Sequence, residues 1–300
     1  MKINRTGSVQ NAKLSENNRL ENYLGRLYKY TILTVLLLFM AVVLVTGATP
    51  PATELSGDEI FARALAQAEL IVEGDLIVIF RKDNLYADGT TSTTLFAGLS
   101  QRVEAENGSL LLFIKEPEEN FGMIHLLLQR AEEIRKWLHM PLLEMTKEII
   151  VEEAIIGRGF EIGVQLAIEE YKAQLLGEEI LQIAENERLV YLLALTARPQ
   201  ADVDFPNVKM WVDKETFLPL RVEKYNAAGD LELLFEILEL VEFEGKFTAK
   251  QIIARELLAG NETTITIFER RRPAQPFPEQ LFDPEKLASF DPVIFGLIDQ

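Results

Sequence analysis

The sequence predicts a mainly β (α+β) domain, entered through one helix and preceded by an apolar N-terminal segment that forms a signal or anchor helix. Three observations lead there. Short runs rich in Val, Ile, Leu, Phe and Thr recur from 75 to 271, bounded by Gly, Asn, Asp or Pro. Turn dipeptides separate several of them, and a helix-capping pattern stands ahead of the first. Branched and aromatic side chains suit a pleated, half-buried surface, which makes such runs strands.

The runs are 75–82, 91–105, 109–115, 122–130, 133–139, 174–184, 188–197, 207–213, 219–226, 230–244, 246–258 and 262–271. Asn107-Gly108, Ala228-Gly229 and Gly260-Asn261 lie between neighbouring runs at short separation, as antiparallel hairpins require. Val208, Met210 and Val212 alternate with Lys209, Trp211 and Asp213, so each set takes one face. Elsewhere the alternation is lost: 109–114, 124–128 and 189–195 carry apolar residues on both faces. Both faces of the sheet must therefore be covered there, one by helices and the other by a second layer or a bound apolar ligand.

Ser56 followed by Glu59 is a capping box that starts a helix. Ile60, Phe61, Ala64, Leu65, Ala68 and then Ile71 or Val72 recur at three- and four-residue spacing, giving one apolar face and an expected end near Gly74. The middle of the chain, 140–171, shows no strand pattern. Pro141 opens it, Leu142, Leu143 and Met145 follow, and 164–171 looks helical. A strand-free connection of this length serves as a lid or binding loop, or as a helical pair plugging one end of the sheet.

Residues 31–53 carry no charge, and 32–45 is apolar apart from Thr34. That core falls short of the roughly 20 apolar residues of a spanning helix and suits a signal-peptide core. Thr46-Gly47-Ala48 then offers small residues for cleavage after Ala48; the alternative is an uncleaved anchor. Lys2, Arg5, Lys13, Arg19, Arg26 and Lys29 outnumber Glu16 and Glu21, which keeps the N-terminus in the cytoplasm. The expected organisation is a basic n-region at 1–30, the apolar segment at 31–48, a linker at 49–55, one domain at 56–290 and a tail at 291–300. The expected location is the periplasm or the outer face of the cytoplasmic membrane.

A formal net charge of −17 argues against nucleic acid as a partner. The chain has no cysteine, which excludes disulfides, thiolate catalysis, Cys-ligated metal and lipid attachment to the protein itself. Its two histidines, His125 and His139, stand in no metal spacing and read as structural, so neither metal nor cofactor is expected. No serine lies in a GxSxG or SxxK motif. Gly157-x-Gly159-x-x-x-Gly163 is spaced too widely for a dinucleotide loop and has no βαβ unit around it. Carboxylate pairs such as Glu118/Glu119 and Glu152/Glu153 are too common in this acidic chain to mark a catalytic site. Arg270-Arg271-Arg272 reads as a solvated strand end before Pro273, with contact to an anionic head group as the other use of that charge.

The order of several motifs resembles a known family. The run 111–116 followed by Pro117, then Phe121-Gly122 and an apolar strand, then 134–141 with Trp137 and Pro141, is similar to the first half of the outer-membrane lipoprotein-sorting proteins. The block from Trp211 through Asp213, Lys214, Thr216, Pro219 and Leu220 to Arg221 looks like their W-x-D-K-x-T-x-x-P-L-R hairpin, and 278–287 matches their closing Pro-x-x-x-F segment. The resemblance spans 60–287. It implies a LolA/LolB-like fold, a strongly curved and incompletely closed antiparallel β-barrel with helices in its concave side and an apolar cavity for acyl chains.

On that resemblance the expected function is a non-enzymatic envelope carrier that holds acyl chains of lipoproteins or lipids and delivers them across the periplasm. The competing class is a membrane-tethered sensor of lipid or lipoprotein that regulates an envelope stress response. Either class implies a membrane-protein partner in the envelope. The cavity-lining residues implied are Leu112, Phe113, Trp137, Leu138, Met140, Leu142 and Phe160, with Trp211 beside them.

Overall fold

The structure, a computed structural model, describes residues 55–67, 74–104, 107–130, 133–149 and 166–298. The apolar segment at 31–48, the glycine run at 157–163 and Phe160 lie outside the described residues. Among those described, no helix is long and apolar enough to cross a membrane.

Thirteen strands make one sheet. They are β1 (Gly74–Leu85), β2 (Thr91–Glu104), β3 (Asn107–Glu116), β4 (Ile124–Arg130), β5 (Glu133–Met140), β6 (Met145–Ile149), β7 (Tyr171–Ile183), β8 (Asn186–Ala197), β9 (Asn207–Asp213), β10 (Pro219–Tyr225), β11 (Leu231–Phe243), β12 (Lys246–Glu256) and β13 (Asn261–Arg271). Their spatial order is β6-β5-β4-β3-β2-β1-β13-β12-β11-β10-β9-β8-β7. Successive strands therefore pair as antiparallel neighbours within each half, and the antiparallel contact of β1 with β13 joins the halves. The sheet is curved and does not close on itself, so β6 and β7 remain as edges.

Turn chemistry fixes the β10–β11 hairpin where the sequence predicts it, whereas Asn107 and Gly108, expected in a turn, belong to β3 and pair with β2 and β4. Between β10 and β11 the Asn226 side chain accepts hydrogen bonds from the backbone N–H groups of Ala228 and Asp230, both at 3.0 Å. Gly229 there has φ +88°, a conformation glycine adopts without steric cost.

The helix, α1 (Gly57–Gln67), starts at the predicted capping box. The Ser56 N–H donates to the Glu59 carboxylate at 2.8 Å, and the Glu59 N–H donates to Ser56 Oγ at 3.2 Å. The Ser56 N–H and then its hydroxyl, both donating to this carboxylate, hold the Glu59 carboxyl below its ordinary pKa. The described helix ends at Gln67, and 68–73 lie outside the described residues. Its first turn sits against edge strand β7: the Ala173 N–H donates to Asp58 Oδ1 at 2.8 Å. A free strand edge invites pairing with another chain, and this contact caps part of that edge.

Two apolar clusters lie on opposite sides of the sheet. On the inner face, Ile60, Phe61 and Ala64 of α1 join Leu193, Leu195, Val208, Met210, Val222 and Phe235, and the cluster runs on through Ile252 and Ile265 to Phe80, Phe96, Leu112 and Ile114. On the outer face, Ile77, Leu99, Leu111, Phe113, Ile124, Leu126 and Trp137 pack under Phe277, Leu281, Phe282, Leu287 and Leu297. The two-sided apolar runs predicted at 109–114 and 124–128 thus have a second layer on one face, supplied by the C-terminal segment.

Two expectations for the middle of the chain need correction. The supposedly strand-free stretch contains β6, paired with β5 from Lys136↔Ile149 to Met140↔Met145. Four of its five residues are exposed, so burial left no apolar alternation to reveal it. The helix expected over 164–171 is absent from its described part. Residues 168–170 form a turn and β7 begins at Tyr171, where buried Tyr171 and Ala173 alternate with exposed Lys172 in a strand's period of two.

Gly57 permits the close approach of α1 to β7. A Cβ at this position would lie 2.7 Å from the Ala173 carbonyl oxygen and 2.7 Å from the Leu175 nitrogen, both backbone atoms held by the sheet. Gly57→Ala is expected to destabilise the fold by about 1–3 kcal/mol through overpacking. Urea unfolding checks this, and an unchanged midpoint would show that the helix does not depend on this contact.

Candidate functional site

Strand register arranges the inner face of β13 and β1 to β5 into transverse rows. The middle row reads Arg270, Val78, Gly98, Leu112, His125 and Leu138, one residue per strand. Beside it, on the side of Met140 at the end of β5, run Ile267, Phe80, Phe96, Ile114 and Met123. On the other side run Ser100, Leu110, Leu127 and Lys136. At about 4.8 Å between strands, the five spacings of the middle row extend about 24 Å. The face is predominantly apolar: Phe80, Phe96, Leu112 and Ile114 are buried, and the Phe80 and Phe96 rings stack with centroids 5.0 Å apart. Gly98 brings no side chain, and Phe80 and Leu112 close over its position.

Polar groups on this face are few. His125 interrupts the leucines of β4, and its buried Nδ1 has no hydrogen-bond partner among the described residues. Burial, followed by the nearby positive charge of Lys82, pushes its imidazole down to about 4, so it is neutral near pH 7. Under the other half of the face, Lys224 is 2% exposed, with Nζ 5.6 Å from the Phe205 ring centroid. Burial lowers its ammonium to about 7, against the opposing pull of Glu170 and Asp204. The Tyr171 hydroxyl closes this corner by donating to the Phe205 carbonyl at 2.9 Å.

The pleat divides the residues singled out from the sequence. Leu112, Leu138 and Met140 share the inner face. Phe113 and Trp137 stand on the outer face: Phe113 packs against Phe121 and Phe290 at centroid distances of 5.6 and 5.7 Å, and Trp137 lies under the Arg135 guanidinium at 4.8 Å. Leu142, in the short 3₁₀ turn Pro141–Leu143, is 86% exposed. Trp211 alternates with Met210 and Val212 and so points away from α1. Its Nε1 donates to Glu179, and Arg221 lies 5.0 Å over its ring.

The block from 211 to 221 is a hairpin device. Asp213 Oδ1 accepts from the N–H groups of Glu215 at 3.0 Å and Thr216 at 2.8 Å and from the Thr216 hydroxyl at 3.0 Å, which folds the β9–β10 turn. A second polar region is an open depression of about 590 Å³ where β1 meets the C-terminal segment. Its groups tie the fold together. Asp75 accepts from Gln101 Nε2 at 2.8 Å and from the Phe277 N–H at 2.6 Å, and Arg272 donates to the Asp75 carbonyl at 2.9 Å.

Sequence reasoning took His125 as structural and weighed Arg270 only as one of three consecutive arginines, a solvated strand end or a contact for an anionic head group. A histidine set in an otherwise apolar run was the signal for the first. For the second, only strand register could separate one arginine from the two that follow it. Arg271 reaches outward, donating to the Phe295 carbonyl at 2.8 Å and pairing with Glu269 at 2.7 Å. Arg272 pairs with Glu244 at 2.8 Å. Arg270 alternates with Arg271 and stands on the inner face opposite Val78.

The model of a family described as "uncharacterized protein" matches residues 106–289. No curated protein matches the chain. Among solved structures, a DUF1329 family protein from Desulfovibrio piger superposes with a TM-score of 0.63 at 18% identity, covering 77% of this chain and 97% of its own. A Vibrio parahaemolyticus protein described as an outer membrane lipoprotein-sorting protein domain gives 0.61 at 21% identity, covering 77% and 98%. A LolA superfamily protein from Nitrosomonas europaea gives 0.51 at 19% identity, covering 76% and 97%. At these identities the likeness is one of fold, and the fold is LolA-like.

His125 has a consequence for acid stability. In the unfolded chain an imidazole takes up its proton near pH 6.5, whereas here it does so only near 4. The unfolded state binds more protons between those values, so stability falls as pH drops through that window and is fully present above it. The loss amounts to roughly 3 kcal/mol at most, from 1.36 kcal/mol per pKa unit. Denaturant unfolding at about pH 7 and pH 4.5 should show a smaller acid loss for His125→Leu than for the unaltered chain; equal losses would remove His125 from the account.

Proposed function

Because the chain belongs to the family matched over residues 106–289 and has the LolA-like fold, we propose that it is a non-enzymatic binding protein of the cell envelope. It holds acyl chains of lipids or lipoproteins against the inner face of β1 to β5 and carries them between membranes. The observation that carries this reading is the second apolar face of the sheet. The outer face is filled by the C-terminal segment, while α1 packs on β7, β8 and β10 at the other half of the inner face. The rows through buried Leu112 and half-buried Leu138 and Met140 then offer an apolar bed about five strand spacings long, partly exposed at β4 and β5. Sequestering a tail there gains about 0.8 kcal/mol per methylene, which holds a lipid in a protein carrier yet permits its transfer.

The uncharged segment at 31–48 supports export, and the lipoprotein-sorting description of the Vibrio parahaemolyticus structure supports the cargo class. Phe113 and Trp137 shape the bed from behind. N-terminal sequencing of protein from its native envelope should begin at Thr49. Recovery of the intact N-terminus would replace a diffusing carrier by a tethered one.

Native mass spectrometry of that protein should reveal bound acyl lipid, and folded, delipidated protein should take up an apolar fluorophore. Leu138→Asp places an unpaired charge on the bed and should weaken uptake by about tenfold or more, since each tenfold is only 1.4 kcal/mol. Ile180→Asp, at an exposed site on β7, should not. Absence of lipid together with no uptake by the folded chain would end the carrier reading.

A further inference from the structure

Within the acyl-binding reading, on which this inference rests, we propose that Arg270 anchors an anionic head group, so that the ligand is an anionic amphiphile carrying a carboxylate or phosphate. The three consecutive arginines differ in what they face. Arg271 and Arg272 each meet a carboxylate and backbone carbonyls on the outer side and at the base of the sheet. Arg270 is half-buried on the inner face, where its Nη2 donates to the Ala249 carbonyl. Among the described residues no carboxylate pairs with it.

A guanidinium carries five N–H donors in a planar fork that matches a carboxylate or phosphate. Withdrawing such a charge from water without a counter-ion is costly, and a bound anion offsets that cost. Burial, with no opposing acid, lowers the group to about 10, so Arg270 stays cationic at neutral pH. No position in the three inner rows is a carboxylate, even though the chain carries a net charge of −17. The acid has been kept off this face.

The span also fits. A bilayer core about 30 Å thick holds two opposed tails, so one tail reaches about 15 Å. Three strand spacings from Arg270, about 14 Å, lead across Val78 and Gly98 to Leu112. A head group on Arg270 thus directs its tail from half-buried Val78 along the apolar middle row, which it enters by displacing the Phe80 and Leu112 side chains packed at Gly98, and it stops short of the neutral His125 at the far side.

The test uses the full delipidated chain and measures displacement of the apolar fluorophore by palmitate, hexadecyl phosphate, hexadecanol, acetate and inorganic phosphate. Palmitate or hexadecyl phosphate should bind about tenfold or more tightly than hexadecanol, the gain expected of a charge-assisted hydrogen bond in a half-buried site. Arg270→Gln should abolish that preference while the folded chain still takes up hexadecanol. Arg270→Lys, which keeps the charge, should retain most of the preference and controls for folding. Acetate and inorganic phosphate, lacking a tail, should not compete. Equal binding of hexadecanol and palmitate by the unaltered chain, or a preference that survives in a folded Arg270→Gln, would overturn the anchor while the acyl-binding reading stands. Competition by inorganic phosphate alone would make this a site for free anions and overturn the amphiphile. Failure of every long-chain probe to bind would overturn both readings.

Discussion

A single antiparallel sheet that is apolar on both sides presents two surfaces that water disfavours, and the rest of the chain is arranged to cover them. Burying one Leu or Phe side chain contributes about 1.5–3 kcal/mol, so leaving either surface bare would cost more than a domain's net stability. The outer surface is met by Phe277, Leu281, Phe282, Leu287 and Leu297. The bond from the Phe277 N–H to Asp75 pins the start of that cover to β1. The inner surface is met at one half by α1, itself fixed to β7 through Asp58 and Gly57. The rest of the inner surface, across β1 to β5, is where the proposed binding site lies.

The same constraint explains why a face without acids sits inside a strongly acidic chain. Carboxylates on the inner rows would meet neither water nor enough cations, so the sequence sets them where counter-ions exist. Glu236 lies between Arg221 at 3.2 Å and Arg255 at 2.9 Å, and Glu223 pairs with Arg221 at 2.5 Å. Trp211 meets that polar surround through Arg221, and its conspicuous motif folds the β9–β10 hairpin.

Most of the fold was legible because burial writes itself into sequence. Twelve of the thirteen strands, the capping box and the β10–β11 turn all announce themselves through apolar runs or through side chains that must satisfy backbone groups. β6 was hidden because an exposed edge strand needs no apolar alternation. The site was harder to read for a geometric reason. Leu112 and Phe113 are consecutive in one strand, as are Trp137 and Leu138, so a strand's period of two already separates them. Which of each pair faces inward depends on where α1 and the C-terminal segment dock, tens to hundreds of residues away in sequence. Arg270 was obscured in the same way by the two arginines beside it.

The pairing of β1 with β13 sets a timetable for the chain as it leaves the ribosome. Ile77 meets Arg271, and its outer side is sealed by residues made later still, through Leu297. Contacts of such long sequence separation form late, because a long loop must close before they are rewarded. Throughout elongation the first strands therefore stay apolar on both sides and unjoined to their partner. During that interval these faces are open to misassociation, which ends only when the segment through Leu297 has docked on them.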